Sequence, residues 1–87
     1  MDKVLLKKIE QKIDEAVSKK EEIKQLAESL SNTGDSKPLA VGIIAGRLYN
    51  AFYYQSKRIL NREPTKDEFD EFLEFVKTKK SDLENLW

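Results

Sequence analysis

The sequence predicts an all-α protein, a three-helix antiparallel bundle or hairpin with a long N-terminal helix. Apolar residues recur at spacings of three and four, which is the period of an amphipathic helix. Two short stretches of helix-breaking residues divide the chain into three such segments. No stretch alternates apolar and polar residues as a half-buried strand does. At 87 residues, the chain is expected to form a single helical domain, 1–87.

The first helix is predicted over about residues 2–31. Its seam follows alternating spacings of three and four, which is typical of a coiled coil or a helical hairpin. The seam consists of Leu6, Ile9, Ile13, Ala16, Lys20, Ile23, Ala27 and Leu30. Lys20 is the one mismatch. Either its aliphatic stem lies along the seam with the ammonium group in water, or the seam is interrupted there.

The first turn is predicted at residues 31–35. Asn32 or Gly34 can adopt the left-handed backbone conformation that ends a helix. Asp35 or Ser36 can then cap the next helix. Because the connection is short, we expect the second helix to run antiparallel to the first.

The second helix is predicted over about residues 38–60 and is apolar over more than half of its circumference. An apolar arc that wide must contact more than one partner. Gly42, Ala45 and Gly46 form a strip of small residues that we expect to pack closely against the first helix. The two interior glycines cost about 2 kcal/mol of helix propensity together, which close packing would offset. A ligand pocket at the strip is the alternative.

The third helix is predicted over about residues 66–79. Asn61 can end the helix before it in the left-handed conformation. Thr65 followed by Glu68 has the spacing of a capping box, which marks a helix start. Beyond this helix, we expect either its continuation or a short helical turn at 82–87.

The charge distribution singles out one surface of the second helix. Residues 36–62 contain five basic residues and no acidic one, between an evenly charged and an acidic flank. Five residues share the arc opposite the apolar one: Arg47, Asn50, Tyr54, Lys57 and Arg58. Arginine forms forked hydrogen bonds with phosphate, and tyrosine stacks on unpaired bases. This stripe is therefore a candidate surface for nucleic acid or another partner. The alternatives are pairing with the acidic third helix of a neighbouring subunit, or simple solvation.

The composition excludes most enzyme chemistry. The chain has no histidine and no cysteine, so the usual general base, thiol nucleophile and zinc ligands are missing. No phosphate-binding glycine loop or nucleophile elbow occurs. Four carboxylates stand at helical spacing in the third helix, and we interpret them as a solvated face: Asp67, Asp70, Glu71 and Glu74. The sequence thus predicts no catalytic residue, metal ligand or cofactor.

The function predicted is that of a non-catalytic module for protein interaction or assembly. A shorter third helix cannot cover the whole seam of the first, so we expect a homo-oligomer, with a dimer favoured, or another protein partner. The expected oligomer contacts are Leu48, Phe52, Phe75 and Trp87. The alternative is a small nucleic-acid-binding protein, which the formal net charge of zero disfavours. The longest apolar run is far shorter than a membrane span, so we expect a cytoplasmic protein without membrane contact.

Overall fold

Four α-helices form the architecture in the computed structural model, which describes residues 1–32 and 34–87. In chain order they are α1 Lys3–Ser18, α2 Lys20–Leu30, α3 Lys37–Leu60 and α4 Lys66–Glu84. The described residues contain no strand, so the all-α prediction is confirmed. The prediction of three helices is wrong, because the first predicted segment forms two helices.

The break between α1 and α2 lies at Lys19, whose φ of −107° and ψ of 15° depart from helical geometry. Lys20, the mismatch in the apolar seam, is exposed at the start of α2. The seam is therefore interrupted there. The break lets both halves pack on α3: Ala16 is buried on one side of it and Ile23 on the other.

α3 is the centre of the fold, because α1, α2 and α4 all pack against it. Its buried face follows helical spacing and consists of Ala40, Ile44, Leu48, Ala51, Phe52, Gln55 and Ser56. Aromatic rings join α4 to this helix at Phe52. The rings of Phe52 and Phe72 are stacked, with centroids 4.5 Å apart and an interplanar angle of 12°.

Burial changes the interpretation of the predicted oligomer contacts. Leu48 and Phe52 are fully buried by the other helices of the same chain. Neither has surface left for a second copy, so the oligomer contacts predicted for these two residues are incompatible with this fold. Phe75 and Trp87 are only partly buried against the core, and their role in oligomer contacts stays a prediction.

Local signals place the ends of α3 as expected. Asp35 Oδ1 accepts a hydrogen bond from the Lys37 backbone N–H at 3.2 Å, and Pro38 lies in the first turn. Asn61 ends the helix in the left-handed region with φ 58°. Gly34 has φ 82° in the preceding turn, where Thr33 lies outside the described residues.

α4 begins with the predicted capping box. Thr65 Oγ1 accepts from the Glu68 N–H at 3.2 Å, and Glu68 Oε1 accepts from the Thr65 N–H at 2.8 Å. Arg62 adds a forked hydrogen bond to the same carboxylate, at 2.6 and 3.2 Å. The forked bond and the Thr65 N–H lower the pKa of Glu68 from 4.5 to about 2. The helix then continues to Glu84 without a second break.

The Glu68 carboxylate makes the stability of the fold sensitive to acid. Its pKa is lower in the folded state, so its stabilising contribution is present above pH 4.5 and is lost as the pH falls towards about 2. We expect Glu68→Gln to lose less unfolding free energy over this range than the wild type, as measured by urea denaturation. Glu10→Gln, which removes an exposed carboxylate on α1, is the control. Identical pH profiles for the two variants would contradict this assignment.

Candidate functional site

The glycine strip lies on an outer face of α3. Gly42 and Gly46 are exposed, and Ala45 is half-buried. A Cβ built on either glycine has no described heavy atom within 4 Å, apart from the local helix backbone. The prediction that the strip packs closely against the first helix is therefore wrong. α1 and α2 instead pack on the face with the larger side chains, such as Ile44 and Leu48, which bury more apolar surface.

The glycines belong to an uncharged surface about four turns long, which we call the neutral face. It consists of Leu39, Gly42, Ile43, Gly46, Tyr49 and Tyr53. The side chains of Leu39 and Tyr49 are among the large apolar groups that the fold leaves exposed. The surface continues onto α4, because the Tyr49 ring lies 6.3 Å from the Phe69 ring and Leu73 is exposed nearby on α4.

A second surface lies between α1 and α3 and adjoins the neutral face at Asn50, which follows Gly46 by one helical turn. It is a groove of about 310 Å³, which we call the basic groove, lined by Lys12, Arg47, Asn50, Ala51, Tyr54 and Gln55. Ala51 and Gln55 are buried and form its floor. Tyr54 stands at its rim with 65% of its surface exposed. The groove therefore combines cations, amides and an accessible ring.

The structure brings together part of the predicted basic stripe. Arg47, Asn50 and Tyr54 all line the basic groove, and Arg58 is exposed one helical turn beyond Tyr54. Lys57 instead forms an ion pair with Glu63, at 3.6 Å between Nζ and Oε1.

The two arginines of the stripe are free of acids. Neither Arg47 nor Arg58 forms an ion pair with any residue that the structure describes. On the opposite wall of the groove, Lys12 Nζ lies 2.9 Å from Glu15 Oε2, in an exposed pair of the kind that stabilises little. The groove thus presents positive charge that this chain does not neutralise.

Three residues of the groove were not predicted as site residues from the sequence: Lys12, Gln55 and the buried Ala51. Lys12 comes from a different helix, and only the packing of α1 on α3 brings it to the groove. Gln55 keeps only 9% of its surface exposed, and its Oε1 has no hydrogen-bond partner among the described residues. The sequence carries a signal for it, because Gln55 is a polar residue at helical spacing from the buried Leu48 and Ala51.

Three carboxylates of α4 form ion pairs with different partners. Asp70 pairs with Lys66 at 3.2 Å, and Glu74 pairs with Lys77 at 3.1 Å. Glu71 forms an ion pair with the amino group of Met1. Within residues 1–32 and 34–87, no group of three or more acidic side chains is arranged to hold a metal ion.

Two further findings concern membrane spans and similarity to known proteins. No helix in the described part of the chain is long and apolar enough to span a membrane. The chain matches no protein-family model, and neither the curated proteins nor the solved structures compared with it include a significant match. Its function is therefore inferred from its own two candidate sites, the neutral face and the basic groove.

Proposed function

We propose that this protein is a non-catalytic assembly module that forms a homodimer through the neutral face of α3. The observation that supports this proposal is the exposure of Gly42 and Gly46 on a continuous uncharged surface. An interior helical glycine costs about 1 kcal/mol relative to alanine. No described residue of this chain packs into the space that the missing side chains leave open. A second helix crossing at the glycines would fill that space.

The absence of charge favours a second copy as the occupant. In a two-fold dimer the same patch is present on both subunits, so a charged patch would bring like charges together. Between Pro38 and Ser56 the one charged residue is Arg47, and it lines the basic groove rather than the neutral face. Tyr49 and Tyr53 add aromatic surface of the kind that is enriched at protein interfaces.

The size of the molecule suits a dimer of this kind. The principal extents are 41, 21 and 19 Å, so a side measuring 41 by 21 Å has a projected area of about 860 Å². A stable interface of standard size buries about 800 Å² per partner. To reach that area, the dimer would have to cover the neutral face together with exposed residues of α4 around Leu73.

The test is the oligomeric state in solution, measured by light scattering and sedimentation at several concentrations. We expect the mass to rise from that of the 10.1 kDa chain to twice that value with increasing concentration. Gly46→Glu places a charge in the middle of the neutral face and should keep the protein monomeric.

The matched control is Thr78→Glu, which adds the same charge at an exposed position of α4 and should dimerise like the wild type. A wild-type protein that stays monomeric at every concentration would contradict the proposal. So would loss of the dimer in both variants to the same extent, because generic charge repulsion would then account for it.

A further inference from the structure

Beyond self-assembly, we propose that the basic groove binds single-stranded nucleic acid, with a base stacked on Tyr54 and phosphates bound by Arg47 and Arg58. The proposal rests on the combination of three kinds of side chain at one site. These are free cations, an accessible aromatic ring and a buried amide without a partner.

The buried amide is the observation that points to a ligand. Gln55 lies at the floor of the groove, and its Oε1 lacks a donor among the described residues. Buried polar atoms are nearly always hydrogen-bonded, and leaving one unpaired is unfavourable. The oxygen itself is buried, so a ring N–H or exocyclic amino group of a nucleobase would bond to it once the Gln55 amide turns into the groove. Asn50, on the same side of the groove, offers a second amide to a base edge.

The cations are placed to follow a phosphate backbone. Arg47 and Arg58 lie eleven residues apart on α3, which corresponds to about 16 Å along the helix axis. Lys12 supplies a further ammonium group from α1. Because the two arginines have no acidic partner in the described chain, their forked donors are available to phosphate oxygens.

The exposed ring favours a single strand over a duplex. Tyr54 is 65% exposed at the rim, between the two arginines along the helix. Stacking on such a ring requires a free base face, and in a duplex both the faces and the pairing edges of the bases are occupied. An acidic peptide would satisfy the arginines and could donate a backbone N–H to Gln55 Oε1, but acidic side chains have no planar ring to stack on Tyr54.

The groove adjoins the neutral face, but the two sites can be tested separately. Arg47 and Gln55 lie on a different arc of α3 from Gly46 and Tyr53. Binding of nucleic acid by the wild type at concentrations low enough to keep it monomeric would therefore be expected. A failure of one proposal is distinguishable from a failure of the other.

The first experiment measures binding of a fluorescently labelled single-stranded oligonucleotide by anisotropy at low and moderate salt. We expect the affinity to fall as salt rises, because binding phosphate releases counterions. Arg47→Glu and Arg58→Glu should each weaken binding by about tenfold or more. Lys80→Glu makes the same charge change at an exposed position of α4 and should bind like the wild type. Arg58 is exposed one helical turn beyond the groove, so its variant tests phosphate binding even if substitution of the half-buried Arg47 disturbs folding.

The second experiment separates base recognition from attraction to any polyanion. An abasic strand of equal length should bind about tenfold more weakly than the base-containing strand, and Tyr54→Ala should reduce that difference. Gln55→Leu should weaken binding of the base-containing strand more than that of the abasic strand.

Four results would overturn the proposal. They are no binding at low salt, equal weakening by Lys80→Glu, equal affinity for the abasic strand or a duplex, and tighter binding of an acidic peptide of the same charge.

Discussion

Replacing Phe52 with alanine is expected to lower the free energy of unfolding by about 3–5 kcal/mol. Phe52 is fully buried, its ring is stacked on Phe72 of α4, and it also meets the Tyr53 ring edge-on at 5.7 Å. The shortened side chain would leave a cavity where α4 packs on α3. Small domains are stable by only about 5–15 kcal/mol, so this one change removes much of the total. Urea denaturation followed by circular dichroism measures the loss.

Tyr54→Ala is the matched control for this prediction. It removes an aromatic ring only two residues further along the same helix, but that ring is mostly in solvent. A surface substitution of this kind changes stability by about 0.5 kcal/mol or less. If Phe52→Ala and Tyr54→Ala cost the same, the α3–α4 core is not packed as described.

The second prediction is a gain of stability from the double substitution Gly42→Ala/Gly46→Ala. Each added Cβ would enter open space, so the monomer should gain about 1 kcal/mol at each site from helix propensity. For a domain of this size, about 2 kcal/mol corresponds to a rise in Tm of about 10 °C. The measurement is thermal denaturation at a protein concentration low enough to keep the wild type monomeric.

The stability gain of the alanine variant should depend on protein concentration if the wild type dimerises. The wild type should become more stable as concentration rises, because dimerisation stabilises the folded state by mass action. The alanine variant should show less of this dependence, since the added methyl groups hold two crossing helices apart. The stability advantage of the variant should therefore narrow with increasing concentration.

Gly34→Ala is the control for the glycine prediction. Gly34 has φ 82°, a conformation that costs about 1 kcal/mol for an L-residue with a side chain, so the same substitution should destabilise the protein there. The opposite signs at Gly34 and at the helical glycines follow from backbone conformation alone. A loss of monomer stability in Gly42→Ala/Gly46→Ala would show that these glycines serve packing within the chain, contrary to the fold described.

Local chemistry by itself determined the end of α3 and the start of α4. The capping box at Thr65 and Glu68 depends on hydrogen bonds within four residues, and the left-handed turn at Asn61 depends on one residue type. The all-α class follows from the spacing of apolar residues over longer segments. None of these features requires knowledge of what the helices pack against, so they could be predicted from the sequence.

The tertiary structure alone decided which face of α3 is covered. Helical spacing shows which residues of α3 share a face. Because α3 is apolar around more than half of its circumference, the spacing does not show which part of that surface the other helices cover. Packing of α1, α2 and α4 on the larger side chains turned Gly42 and Gly46 outward and buried Gln55 beside Lys12. Both candidate sites result from this packing, because burial depends on contacts between segments distant in sequence. The periodicity of a single helix does not encode those contacts.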